Sequence, residues 1–197
     1  MATALASFCD YQAREAWTWE HLALTRARPV AGSAELAGEV EAFRRGLLAE
    51  KGQGGEVLAN VADMRRRLAE AKRGTGPWDC RQGPGRLQEI ELVAQTAALR
   101  AGHPARRTEA QLAAGLRAGW PGRADGEALL AAYRLCWRLH CAGRLLSDAA
   151  PDPERLGPAA TAFLLRETDQ SDTQALAERL EAVTAASAGA VARLLAE

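Results

Sequence analysis

Three observations predict an all-α fold. Ala, Leu, Arg and Glu dominate a chain of 197 residues that is 48% hydrophobic but only 5% aromatic, and these side chains lose little rotamer freedom in a helix. Apolar residues recur at three- and four-residue spacing, as at Val57, Val61, Met64 and Leu68, and no stretch alternates with the period of a half-buried strand. Glycine and proline clusters leave only short connections between the periodic segments. Together these predict one domain over residues 1–197, an antiparallel helical bundle of about six to eight helices.

The elements follow in order. Asp10 is placed to cap a helix running to about Arg28, ended by Pro29 and Gly32. Ser33, followed by Glu35 and Leu36, opens a second helix to about Glu50. Lys51-Gly52-Gln53-Gly54-Gly55 breaks the chain, and a third helix spans about Glu56 to Arg73. Residues 74–85 form the longest irregular stretch and are expected to be a functional loop. A fourth helix runs from about Arg86 to Ala101, stopped by Gly102 and Pro104. Thr108 caps a fifth to Ala118, which Pro121-Gly122 ends. A long sixth covers about Asp125 to Leu146, residues 148–158 read as a proline-containing loop, and a short helix surrounds Ala159 to Arg166. Ser171 is placed to cap the last.

Composition narrows the function classes. Lys and Arg balance Asp and Glu to a formal net charge of +0, so no bulk field draws the chain to nucleic acid or to an acidic membrane. Neither is expected as a partner. No apolar run approaches the ~20 residues that span a bilayer, and Met1 to Phe8 lack a basic leader or cleavage site, so a cytoplasmic location is expected. Cys9, Cys80, Cys136 and Cys141 have no framework spacing and read as reduced thiols. Cys136 and His140 are one helical turn apart, but Cys141 faces elsewhere and no fourth ligand has suitable spacing, so no metal site is assigned. Arg65, Arg66 and Arg67 make a basic run without interleaved aromatics, read as a solvated face or partner contact.

The most informative stretch is Trp78-Asp79-Cys80-Arg81-Gln82-Gly83-Pro84-Gly85-Arg86-Leu87-Gln88-Glu89-Ile90-Glu91-Leu92. A turn through Gly83, Pro84 and Gly85 is expected to leave backbone N–H groups bare at a helix start, where anions bind. Glu91 falls in the apolar stripe with Leu87, Ile90 and Ala94, so its carboxylate needs a partner. It could orient Arg81 or the turn, or lock two helices together. Glu89, about 200° away around the helix, is expected nearer a missing domain or solvent. Near the N-terminus, Tyr11-Gln12, then Glu15-Ala16-Trp17-Thr18-Trp19-Glu20-His21, then Arg26-Ala27-Arg28-Pro29-Val30 form a second distinctive segment. Read as one helix, it places Trp17, Glu20, His21, Leu24 and Arg28 on one stripe, with Trp19, Leu22, Ala23 and Arg26 on another. Arg26 and Arg28 are about 200° apart and cannot form one clamp. His21 reads as a hydrogen-bonded core histidine.

These two segments, with Val61-Ala62-Asp63-Met64-Arg65 before the second, resemble the bacterial glutamine synthetase adenylyltransferases, most closely from Tyr11 to Gln95. The resemblance implies an enzyme that moves an adenylyl group between ATP and glutamine synthetase, using Mg²⁺, with each half joining a nucleotidyltransferase palm to a helical bundle. No Gly-Ser followed by alternating acids is present to hold the metal, so the chain resembles the bundle that follows the palm, with residues 1–30 leading out of it. The implied partners are that palm, glutamine synthetase and the PII signalling protein. Arg26, Arg28, Arg81, Gly83, Gly85, Glu89 and Glu91 become candidates for facing the palm or its nucleotide, and Trp17, Trp19, Glu20 and His21 for interface or structural roles. No catalytic residue, metal ligand or cofactor is assigned to this chain alone. Arg81, Arg86 and Glu89 depart from the family's usual Lys, Gly and Asp. A stand-alone interaction module, or the bundle of a related uridylyltransferase, remains the alternative.

Overall fold

The computed structural model describes residues 3–71 and 74–196. It is all-α, with no strand among the described residues. The helices are α1 (Leu5–Arg14), α2 (Thr18–Arg26), α3 (Ala34–Lys51), α4 (Val57–Ala71), α5 (Leu87–Arg100), α6 (Thr108–Arg117), α7 (Arg123–Leu146), α8 (Pro158–Thr168) and α9 (Thr173–Leu194).

Local chemistry explains most boundaries. Ser33 caps α3, its hydroxyl accepting the Leu36 N–H at 3.2 Å. Pro158 occupies the first turn of α8, where its missing N–H costs nothing. Asp172, not Ser171, caps α9 by accepting the Ala175 N–H at 2.8 Å. The Ser171 hydroxyl donates to Asp172 instead, at 2.9 Å. Arg107 holds the capping position of α6, and Thr108 is its first helical residue. The expected end of the third helix at Arg73 lies outside the described residues, as do Lys72, Met1 and Ala2.

The expected first helix from Asp10 to Arg28 is corrected to two. Asp10 sits inside α1, and the chain breaks before Thr18, with Trp17 extended at φ −86° and ψ 162°. The break arises because Glu20 reaches back and accepts the Trp17 N–H at 2.9 Å. That is half of a capping box; an indole has no oxygen for the other half. The stripes drawn on one continuous helix therefore do not exist.

The described residues gather into two compact units. One contains residues 3–64 and 92–122. There α3 packs on α1 and α2, Phe8 meets Phe43 edge-on at 5.9 Å, and Leu22, Leu48, Val61, Leu99 and Leu112 are almost wholly buried. The other contains residues 65–71, 74–91 and 123–196. Its spine is α7, packed against α8 and α9, around Ile90, Leu129, Leu139, Leu164 and Leu176. No helix among the described residues is long and apolar enough to cross a membrane.

Candidate functional site

In the first unit, the N-terminal segment is held by hydrogen bonds that leave its tryptophans outside. The Tyr11 hydroxyl donates to Glu20 Oε1 at 2.8 Å, so one carboxylate ties α1 to the start of α2. His21 is buried and its Nε2 donates to the Gln12 carbonyl at 3.0 Å, a core role as expected. Thr18 Oγ1 accepts from Asn60 Nδ2 at 2.8 Å. Trp17 and Trp19 nonetheless remain 72% and 55% exposed. A segment so anchored presents large indole faces without having to order them on binding.

The other end of α2 is gripped by arginines that the sequence did not single out. Arg44, 2% exposed, donates to the carbonyls of Leu24, Thr25 and Pro104 at 3.1, 3.3 and 2.9 Å. These include carbonyls that a helix end leaves without partners. Its remaining N–H groups grip Glu41 at 3.0 and 3.2 Å. Arg106 donates to the Ala27 carbonyl at 2.8 Å and also to Glu41. Burial alone would raise the Glu41 pKa; hydrogen bonds from Arg44 and Arg45 and the charge of Arg106 overcome it and lower the pKa from 4.5 to about 2. Arg26 and Arg28 are exposed. Arg28 borders an apolar recess of about 260 Å³ lined by Phe8, Leu24, Pro29, Leu36 and Phe43.

The loop of residues 74–85 belongs to the second unit. Asp79, 9% exposed, accepts the N–H groups of Thr75, Arg81 and Gln82 at 3.0, 2.9 and 3.1 Å and the Thr75 hydroxyl at 3.2 Å. Against the burial penalty, these bonds hold its carboxyl below the usual range. Arg86 folds back into the loop, donating to the carbonyls of Gly76 and Pro77 at 3.0 Å each and to that of Asp79. The Arg86 side chain thus staples the turn, and position 86 is not among those with positive φ.

The expected bare N–H groups are corrected. Leu87 and Gln88 donate to the carbonyls of Cys80 and Arg81, both at 3.1 Å, and Gly85 donates to Glu89 Oε2 at 2.7 Å. The first two N–H groups of α5 are thus taken by the loop's own carbonyls. Gly83 and Gly85 serve the turn, at φ 121° and 68°. A Cβ on Gly85 would sit 2.0 Å from the Thr184 carbonyl oxygen, so only glycine lets the turn meet α9. Glu89, expected nearer solvent or a missing domain, orients the turn and pairs with Arg65 at 2.5 Å. Arg65 is accordingly not part of a freely solvated run.

Arg81 is exposed and Glu91 half-buried. Both act on His140, whose pKa is lowered by burial and by Arg81 and Arg144, against the opposite pull of Asp79 and Glu91. Beneath the loop, the buried Cys80 thiol is raised first by its hydrogen bond to Cys136 and then by burial, while Cys136 is lowered by the same bond. Cys141 is exposed. Among the described residues no group of three or more His, Cys, Asp or Glu side chains is placed to hold a metal ion.

Comparison with known proteins finds similarity that includes the N-terminal segment. Residues 1–43 match the model of the family described as glutamate-ammonia ligase adenylyltransferase. The bifunctional glutamine synthetase adenylyltransferase/adenylyl-removing enzyme of Bradyrhizobium diazoefficiens is 44% identical over 103 residues, 52% of this chain and 10% of that protein. The enzyme of the same name from Rhizobium meliloti is 44% identical over 106 residues, 54% of this chain and 10% of its own length. That from Mesorhizobium japonicum is 39% identical over 99 residues, with 50% and 10% covered. The matched stretch thus spans about a tenth of these relatives, and over about half of its own length this all-α chain is related to the glutamine synthetase adenylyltransferases.

Proposed function

We propose that this chain acts in the cytoplasm as the helical bundle that braces the nucleotidyltransferase palm of a bifunctional glutamine synthetase adenylyltransferase/adenylyl-removing enzyme. Its contacts extend to glutamine synthetase and the PII signalling protein. ATP and Mg²⁺ are held by the palm, and the chain alone transfers no adenylyl group. The observation that carries this reading is the combination found in the family-matched segment. Its backbone is fixed by Glu20, His21, Arg44 and Arg106, while Trp17 and Trp19 point outward at 72% and 55% exposure. Rigid exposed aromatics anchor interfaces. Arg26, Arg28 and Arg81 add exposed positive charge facing the palm or its nucleotide.

The reading is tested by calorimetric titration of this chain into the palm of the Bradyrhizobium relative and, separately, into bacterial glutamine synthetase with and without MgATP. Saturable binding to the palm supports a brace. Binding to glutamine synthetase alone makes the chain a stand-alone docking module and overturns the bracing role. Binding to neither removes the proposed function.

A further inference from the structure

The exposed tryptophans stand at the start of α2; its far end carries a hollow. The apolar recess of about 260 Å³ lies between the exit of α2, the turn at Pro29 and the first half of α3. Leu24, Pro29, Leu36 and Val40 line it, together with Phe8 and Phe43, which pack edge-on at 5.9 Å. Leu36 is 47% exposed, and Val30, between the lining residues Pro29 and Ala31, is 84% exposed. The walls are fixed in advance. Arg44 ties the Leu24 and Thr25 carbonyls to Glu41 on α3, and Arg106 holds the Ala27 carbonyl. An occupant therefore meets a preformed site and has little to order on binding. An apolar cavity of roughly 150 Å³ holds one benzene. This recess accordingly admits one side chain of leucine or phenylalanine size and has no room for a nucleotide.

Three observations point to the occupant. Every lining residue except Arg44 falls within residues 1–43, the stretch that matches the family model. The similar stretch is only 10% of each of the two relatives at 44% identity, so most of the polypeptide that accompanies this segment in those proteins lies outside this chain. Arg28, which the proposed function turns toward the palm or its nucleotide, lines the same recess. The spacing matches a brace as well. α2 has nine residues, so at about 1.5 Å per residue its two ends are ~13 Å apart. One contact leaves a pivot; two contacts that far apart fix an angle.

We infer that the recess receives one apolar side chain of the palm, leucine- or phenylalanine-sized, as a second anchor beside Trp17 and Trp19; this rests on the proposed bracing role. The test titrates the intact chain into the palm of the Bradyrhizobium relative by calorimetry, comparing wild type with Ala37→Phe, which fills the recess from α3. Leu36→Ser, at an exposed lining position, is the second variant, and urea melts establish that each folds. Both variants are expected to bind about tenfold or more weakly with an unchanged urea midpoint, and the Val40 methyl NMR resonances of the wild type to shift on palm binding. If Ala37→Phe itself unfolds, Leu36→Ser and the Val40 shift decide. Wild-type affinity in the folded variants, or Val40 resonances that stay in place, overturns the inference and leaves the brace standing. A wild-type chain that does not bind the palm overturns both. Sedimentation of the chain alone separates the remaining occupant: a dimer that Ala37→Phe disperses assigns the recess to a second copy and overturns the inference.

Discussion

Arg44 grips both carboxylate oxygens of Glu41, at 3.0 and 3.2 Å, with its own side chain almost wholly out of water. Because the same guanidinium also holds the carbonyls of Leu24, Thr25 and Pro104, one ion pair fixes the exit of α2 on α3. The entrance of α2 is fixed by Glu20. The exposed tryptophans therefore sit on a helix clamped at both ends.

Glu41 makes the fold acid-sensitive in a defined window. Its folded pKa of about 2 lies below the ordinary 4.5, so the stabilisation is complete above pH 4.5 and is lost as pH falls toward about 2. The gap corresponds to at most about 3 kcal/mol, reduced by solvent screening. Urea denaturation as a function of pH is expected to show this acid limb, and Glu41→Gln to flatten it. Arg44→Met, which removes the donor to three carbonyls and leaves Glu41 paired only with Arg45 and Arg106, is expected to cost about 2–3 kcal/mol at pH 7.

Gly85 and Gly55 are expected to differ sharply. An alanine at Gly85 needs φ near 68° and drives its Cβ against the Thr184 carbonyl and the Ala188 N–H. The combined strain and overpacking predict a loss of about 3 kcal/mol or more. Gly55 has open space for a Cβ and no positive φ, so Gly55→Ala is expected to stay within about 0.5 kcal/mol of the parent. Equilibrium urea melts of the two variants check the contrast.

Arg65 and Glu89 form a pair whose side chains are 28% and 15% exposed, with the second Glu89 oxygen engaged by Gly85. A double-mutant cycle of Arg65→Ala and Glu89→Ala is expected to give a coupling energy of about 1 kcal/mol. Glu89→Ala alone is the costlier change, because it also releases the Gly85 N–H. Hydrogen exchange at Gly85 is expected to accelerate in Glu89→Ala and to change less in Arg65→Ala.

Much of this was legible because the signals were local. Ser33 is a capping residue, Pro29 and Gly32 break a helix, and Lys51 to Gly55 cannot continue one, so those boundaries follow from backbone chemistry. The split between α1 and α2 was hidden because Arg14 to Trp17 contain neither glycine nor proline. The breaker is the Glu20 side chain, acting three residues upstream on a tryptophan that is an unusual capping residue. The engagement of the first two N–H groups of α5 was hidden for a related reason. Gly83 to Gly85 do signal a turn, but the carbonyls of Cys80 and Arg81 that occupy it belong to the loop's own path. Arg44 looked like any surface arginine, since its partners lie up to 60 residues away; Glu41 at one-turn spacing from Arg44 and Arg45 was the available hint.

Trp17 and Trp19 separate interface from stability. Both are largely exposed, so the double variant Trp17→Ser, Trp19→Ser is expected to lose no more than about 1 kcal/mol in a urea melt. Its affinity for the palm, read by calorimetry, is expected to drop about a hundredfold, the range of a paired aromatic hot spot. Equal loss in both measurements would assign the tryptophans to the fold instead.

The most direct test of the account is reconstitution of adenylyl transfer to glutamine synthetase by a palm of the parent family, with and without this chain, at saturating MgATP. The account predicts a weak palm alone, no activity from the chain alone, and a rate restored by the wild-type chain but not by the Trp17, Trp19 double variant. A palm whose rate is unchanged by the chain, or restored equally by the double variant, would contradict it.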